Sequence, residues 1–252
     1  MNFTNPAATG IPGNSPVILA QSAVPVINPP SSASTSANGN FVLSAALPSA
    51  TAYANCWIYF PANAVNGSQP AGVYYCRMSS TTAGQAFNVL LQPGQAPYIP
   101  ASPAAFSGAT PGWVANTSNS FILASVPVLG SQMGPNGILH YRATWSTTGL
   151  GSDSYQFGMA PTISGANTQF HNVATGANAT LGSDYMTQNR GVLNLQVSMD
   201  SGIRPADFLL GTALNYSTVD TSVFNYFQMG AYVGAVGHFV ALESYFIELI
   251  PG

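Results

Sequence analysis

From Phe41 to the last residue, ten short runs rich in Val, Ile, Leu, Phe and Tyr follow one another: FVLSAAL, CWIYFPA, GVYYCRM, AFNVLL, SFILASVPVL, ILHYRATW, TQFHNV, GVLNLQVSMD, FNYFQM and HFVALESYFIEL. Asn-Gly, Pro-Gly, Thr-Gly and Ser-Gly pairs separate them, which is the punctuation of strands and tight turns. Helices would need Glu, Lys and Arg to cover their wet faces, and this chain has almost none. The pattern therefore predicts an all-β fold, an antiparallel sandwich of jelly-roll type. A length of 252 residues suffices for one large β domain or two small ones.

Alternation gives the faces of individual strands. Leu139, Tyr141, Ala143 and Trp145 share one face, opposite His140, Arg142 and Thr144. By the same rule Leu193, Leu195, Val197 and Met199 form a buried face, and Asn194, Gln196 and Ser198 a wetter one. His238 to Ile250 is apolar on both faces, as in a central strand or one covered by another subunit. Asn189-Arg190-Gly191 and Asp200-Ser201-Gly202 mark turns.

Charge is the second constraint. Arg77, Arg142, Arg190 and Arg204 are the only basic residues, there is no lysine, and charged residues make up 4% of the chain, against about 25% in an ordinary domain. Four scattered arginines cannot form a phosphate-binding patch, so nucleic acid is excluded as a partner. Strand edges are normally protected by lysine or inward-pointing charge. A β protein without such guards is most stable when its edges and faces are buried against copies of itself, so an obligate homo-oligomer within a larger assembly is expected.

No apolar run reaches the ~20 residues of a spanning helix, and the first thirty residues lack a basic region followed by an apolar segment. A soluble chain without membrane insertion, not exported by the ordinary route, is expected. Residues 1–40, rich in Pro, Ala, Ser, Asn and Gly, read either as a floppy tail or as an extended anchoring arm that becomes ordered against a partner's surface. Proline and glycine concentrate again at residues 93–120, which divides the rest into a small β unit (41–112) and a C-terminal β-sandwich (113–252).

Candidate chemistry is sparse. Cys56 and Cys76 lie in two β runs twenty residues apart. Their thiols could meet if the runs pair, but a cytosolic redox poise favours free, buried thiols. His140, His171 and His238 sit within strands without a second ligand at metal spacing, so core or edge histidines are expected rather than zinc ligands. Gly149-Leu150-Gly151 lacks the third glycine of a phosphate loop, and no Gly-x-Ser-x-Gly occurs.

Paired carboxylates remain, since glycan-cleaving sites use two acids ~5 to 10 Å apart. Glu243 and Glu248, five apart on one strand, are expected on opposite faces. Asp200 and Asp207 read as turn residues, with Arg204 able to pair locally with Asp207. Catalytic, cofactor and metal sites are therefore all expected to be absent. Tyr155, Phe157, Phe170, Tyr185 and Tyr216 could stack on sugar rings but are expected to fill the core. The Asn-x-Ser/Thr sequons at Asn2, Asn66, Asn116, Asn178 and Asn215 follow from composition.

The segment from Thr51 to Val89 resembles a module of tailed-bacteriophage structural proteins. Its elements are the aromatic strand Trp57 to Pro61, the Gly-x-Tyr-Tyr of Gly72 to Tyr75, and the turn Met78 to Gly84. The stretch from NRGVLNLQVS through ALNYSTVDTS to FVALESYFIELIPG is similar to the C-terminal sandwich of phage fibre and head-decoration proteins. The resemblance implies a trimeric virion component, assembled in the host cytoplasm. It implies a head fibre, a decoration protein or a short tail fibre, since no coiled-coil or β-helical shaft is present. The arm would engage capsid or tail proteins, and the sandwich would face host glycans. A receptor-binding or polysaccharide-cleaving spike tip is the alternative.

Overall fold

The computed structural model describes residues 15–23, 25–27, 33–35, 40–43, 53, 55–60, 72–78, 86–91, 119–147, 153–162, 167–174, 180–200, 214–233 and 240–252. Among these are sixteen strands and no helix. The first seven are β1 (Val17–Ser22), β2 (Val26–Ile27), β3 (Ala33–Thr35), β4 (Asn40–Leu43), β5 (Asn55–Phe60), β6 (Gly72–Met78) and β7 (Ala86–Leu91). Then come β8 (Asn119–Val128), β9 (Ile138–Thr147), β10 (Ser154–Ala160), β11 (Thr168–Ala174) and β12 (Thr180–Asn189). The last four are β13 (Gln196–Asp200), β14 (Leu214–Ser217), β15 (Asn225–Val233) and β16 (Val240–Ile250).

Two antiparallel sheets pack as a sandwich. One runs β14-β13-β12-β9-β16, with β1 on the far edge of β16, and the other runs β11-β10-β15-β8. The larger sheet continues through β2, which pairs in parallel with β5 and leads on to β6, β7, β4 and β3. The expected central position of the last run is found: β16 is flanked by β9 on one side and by β1 and β2 on the other. Residues from the stretch read as an arm thus lie along β16, from Val17 opposite Leu249 to Ile27 opposite Ala241.

The core is aromatic, and its inner face is the one that alternation assigned to β9. Leu139, Tyr141, Ala143 and Trp145 are buried, while Arg142 is exposed and His140 and Thr144 are half-buried. Trp145 stacks on Tyr155 with centroids 5.0 Å apart and planes 9° apart, and Tyr141 packs at 4.7 Å on Phe227. Phe157, Phe170 and Tyr185 complete the cluster, so four of the five aromatics considered for sugar stacking fill the core. Burial of such rings is the main stabilising contribution, roughly 25 cal/mol for each Å² removed from water.

The strand β13 departs from expectation. Val197 is buried as expected, but Gln196 and Ser198 are fully buried too, whereas Leu195 is 37% exposed and precedes the strand. The polar side faces the sandwich interior because partners are waiting there: Ser198 Oγ lies 2.8 Å from Thr187 Oγ1, which in turn lies 2.9 Å from the Tyr141 hydroxyl. A buried hydroxyl costs little once it is hydrogen-bonded.

Candidate interaction face

Inverting β13 puts Met199 on the outer side, with Val197 still buried beside it, and the registers of the neighbouring strands extend this outer face over β14, β13, β12, β9, β16 and β1. Met199 pairs with Leu214 and with Met186, Met186 with His140, His140 with Glu248, and Glu248 with Ile18. Residues directly opposite in a ladder share a face. Leu214, Met199, Met186, His140, Glu248 and Ile18 therefore form one transverse row over six strands. Its two ends, Leu214 and Ile18, are 50% and 54% exposed.

The middle of the row is polar. His140 Nε2 lies 2.7 Å from Asp184 Oδ1, and its Nδ1 lies 3.5 Å from Glu248 Oε2. A neutral imidazole donates to one of these carboxylates, and the imidazolium donates to both. In the next row Asp184 pairs with Arg142 and Arg142 with Phe246, the guanidinium sitting 5.1 Å from the Phe246 ring centroid. Arg142, Asp184 and Glu248 thus stand together on one sheet face. Asp184 escaped sequence reasoning because its partners lie on other strands, and only the cross-strand register joins them.

The acid pair Glu243 and Glu248 is not brought together. A bulge between Leu242 and Ser244 shifts the register, which corrects the expectation of opposite faces. Glu243 accepts a hydrogen bond from the Tyr53 hydroxyl, which also bonds Ser146, a β9 residue of the same parity as His140. Both acids thus have partners on the outer side, but five residues along a strand span roughly 15 Å, too far for a shared substrate bond. Burial, followed by the Glu243 hydrogen bond, raises the Tyr53 phenol above its ordinary range. Asp184 and Glu248 are closer, yet the His140 ring fills the space between them.

Toward one pole of the sandwich the same outer face carries an exposed aromatic, since Tyr216 shares the side of Leu214 on β14. Arg190 Cζ lies 5.6 Å from the Tyr216 ring centroid, and Tyr216 is 61% exposed, the one aromatic of the five that reaches solvent. Val192, Leu195, Val223 and Phe224 are exposed on neighbouring loops. These loops are tied from beneath: Thr221 N donates to Leu193 O at 2.7 Å, Ser131 N to Thr221 O at 2.8 Å, and Gly191 N to Pro135 O at 2.8 Å. The expected turn at Asn189-Arg190-Gly191 is present, with Gly191 at φ 78°, a left-handed conformation that suits glycine.

The remaining residues singled out in the sequence fall as follows. His171 is a core histidine. It stacks on Tyr185 with centroids 4.1 Å apart, Nε2 has no hydrogen-bond partner, and burial lowers its pKa to about 4. Asn215 donates to Phe170 O at 2.8 Å. Cys56 is a buried free thiol, and its register partner is Cys76. Gly149, Leu150, Gly151, His238, Arg204, Asp207, Asn2, Asn66, Asn116 and Asn178 lie outside the described residues, as do residues 92–118 and the turn at Ser201 and Gly202; of Asp200 only the backbone is described. Among the described residues no group of three His, Cys, Asp or Glu could hold a metal ion. In comparisons with known proteins, no family model and no curated protein matches the chain.

Proposed function

We propose that this chain is a structural component of a bacteriophage virion, a head fibre, decoration or short tail fibre protein that assembles as a trimer. The observation that carries the reading is the outer row from Leu214 to Ile18: a sheet face with exposed apolar ends, whose central charged groups are paired with one another. Such a face suits burial between copies. The resemblance of residues 51–89 to phage structural modules supplies the setting. In this reading the sandwich has jelly-roll connectivity, the first residues of the chain engage a capsid or tail protein, and the sandwich is displayed.

The test is to image purified particles labelled with an antibody against the chain. Label at a fixed place on the head or tail is the expected result; absence of the chain from particles overturns the reading. The exposed Tyr216 beside Arg190 favours a second reading, a receptor-binding tip that contacts host glycans. Incubation with host capsule or lipopolysaccharide separates the outcomes: binding alone marks an adhesin, and release of reducing ends marks a cleaving spike.

A further inference from the structure

Strands β5 and β6 form an antiparallel pair whose register sets Cys56 directly opposite Cys76. Directly opposed residues in such a ladder have Cα atoms ~4.5 to 5.5 Å apart, whichever kind of pair they form. That interval lies inside the ~4.4 to 6.8 Å over which a disulfide closes without moving the backbone. We propose that Cys56, a free thiol in this structure, and Cys76 form a modification site, oxidised during folding to an intramolecular disulfide across the β5–β6 pair.

The position gives the bond a mechanical role. Immediately beside Cys56, Trp57 N donates to Pro25 O at 2.8 Å, and Trp57 is the register partner of Val26 in β2. Three residues before it, Tyr53 bonds Glu243 of β16. A disulfide at this place closes a short loop next to the junction between β5 and the sandwich, and removes freedom from the unfolded chain. Cys56 is fully buried, so the bond is shielded from reductants once formed.

The oxidant is a small-molecule disulfide such as oxidised glutathione. One cysteine thiolate attacks it, forming a mixed disulfide and releasing one glutathione; the second cysteine then attacks the mixed disulfide and releases the other. Two thiols become one disulfide, and the two protons leave on the two reduced glutathiones. Burial pushes the Cys56 thiol up to about 12, which suppresses the thiolate in the folded chain. Closure therefore occurs while the chain folds or opens.

The test uses the full chain, unfolded and refolded with oxidised glutathione. Intact mass is compared before and after reduction, with N-ethylmaleimide labelling in denaturant. The expected result is a monomer-mass chain lighter by two hydrogens that takes no label until reduced and then takes two. The oxidised form should also melt roughly 5 °C or more above the reduced one. Two labelled thiols without reduction, a retained glutathione adduct, or a disulfide-linked dimer would overturn the proposal. The Cys76→Ser variant checks the pairing: with no second thiol to displace glutathione, Cys56 must then either take label without reduction or carry one glutathione seen in the intact mass, and protection without that adduct would refute the Cys56–Cys76 bond.

Discussion

The side-chain amide of Gln196 donates at 2.9 Å to Oδ1 of Asn189, joining the first residue of β13 to the last of β12 inside the sandwich. The same amide donates to Val219 O at 2.9 Å, and its Oε1 accepts from Val219 N at 2.9 Å and from Ser217 Oγ at 3.2 Å. Asn189 in turn donates to Thr221 Oγ1 at 2.9 Å. One buried amide thus holds the loops of the exposed pole. Replacing it by an apolar group of similar size leaves several partners unsatisfied, each costing ~1 to 3 kcal/mol. Gln196→Leu should therefore destabilise by about 3 kcal/mol, seen as a lower Tm in circular dichroism. A loss below ~1 kcal/mol would show that the network is dispensable.

The outer row predicts how assembly fails. Ile18 and Leu214 are exposed and lie outside the buried core cluster, so Ile18→Asp with Leu214→Asp should leave the fold intact. The wild-type chain should run in sizing near three times its 26.0 kDa, and the double variant should run as a smaller species with unchanged circular dichroism. A wild-type monomer, or a variant that still trimerises, removes this face from the interface.

His171 gives the sandwich an acid-sensitive element. Burial lowers its pKa from 6.5 to about 4 in the folded chain, so between these values the unfolded state binds the proton and the folded state does not. Stability contributed by the neutral ring is fully present above pH ~6.5, is lost as the pH falls, and levels off below ~4. The loss amounts to as much as about 3 kcal/mol. Urea denaturation at pH 7 and pH 4.5 should show a smaller difference for His171→Phe than for the wild type. Equal differences would remove His171 as the cause.

Truncation separates the anchoring and folding roles of the N-terminal stretch. β1 covers the edge of β16 from Val17 to Ser22, and Ala20 and Val26 belong to the core. Deleting residues 1–14 should leave a folded trimer that is missing from particles. Deleting residues 1–27 exposes the edge of β16 and should give insoluble protein, measured as the soluble fraction on expression. Incorporation of the shorter truncation into particles would end the anchoring role.

Much of this architecture is legible in the sequence. The inward face of β9, the central place of β16, the turn at Gly191 and the core role of most aromatics all follow from alternation, turn chemistry and apolar content. Those signals are local. The sequence could also show that charge was scarce, although it could not show that His140, Asp184 and Glu248 converge, because they come from three strands brought side by side only by pairing.

What the sequence determined by itself was the kind of object: a sheet-forming chain with little charge to keep its faces apart. Tertiary structure decided the rest. Alternation says which residues of a strand share a side, and it does not say which side is inside. In β13 the polar side is inside, because Thr187, Asn189, Ser217 and Val219 meet the hydrogen-bonding demands of Ser198 and Gln196 there. A strand read alone cannot reveal such partners, since they belong to other segments and gather only when the sandwich closes.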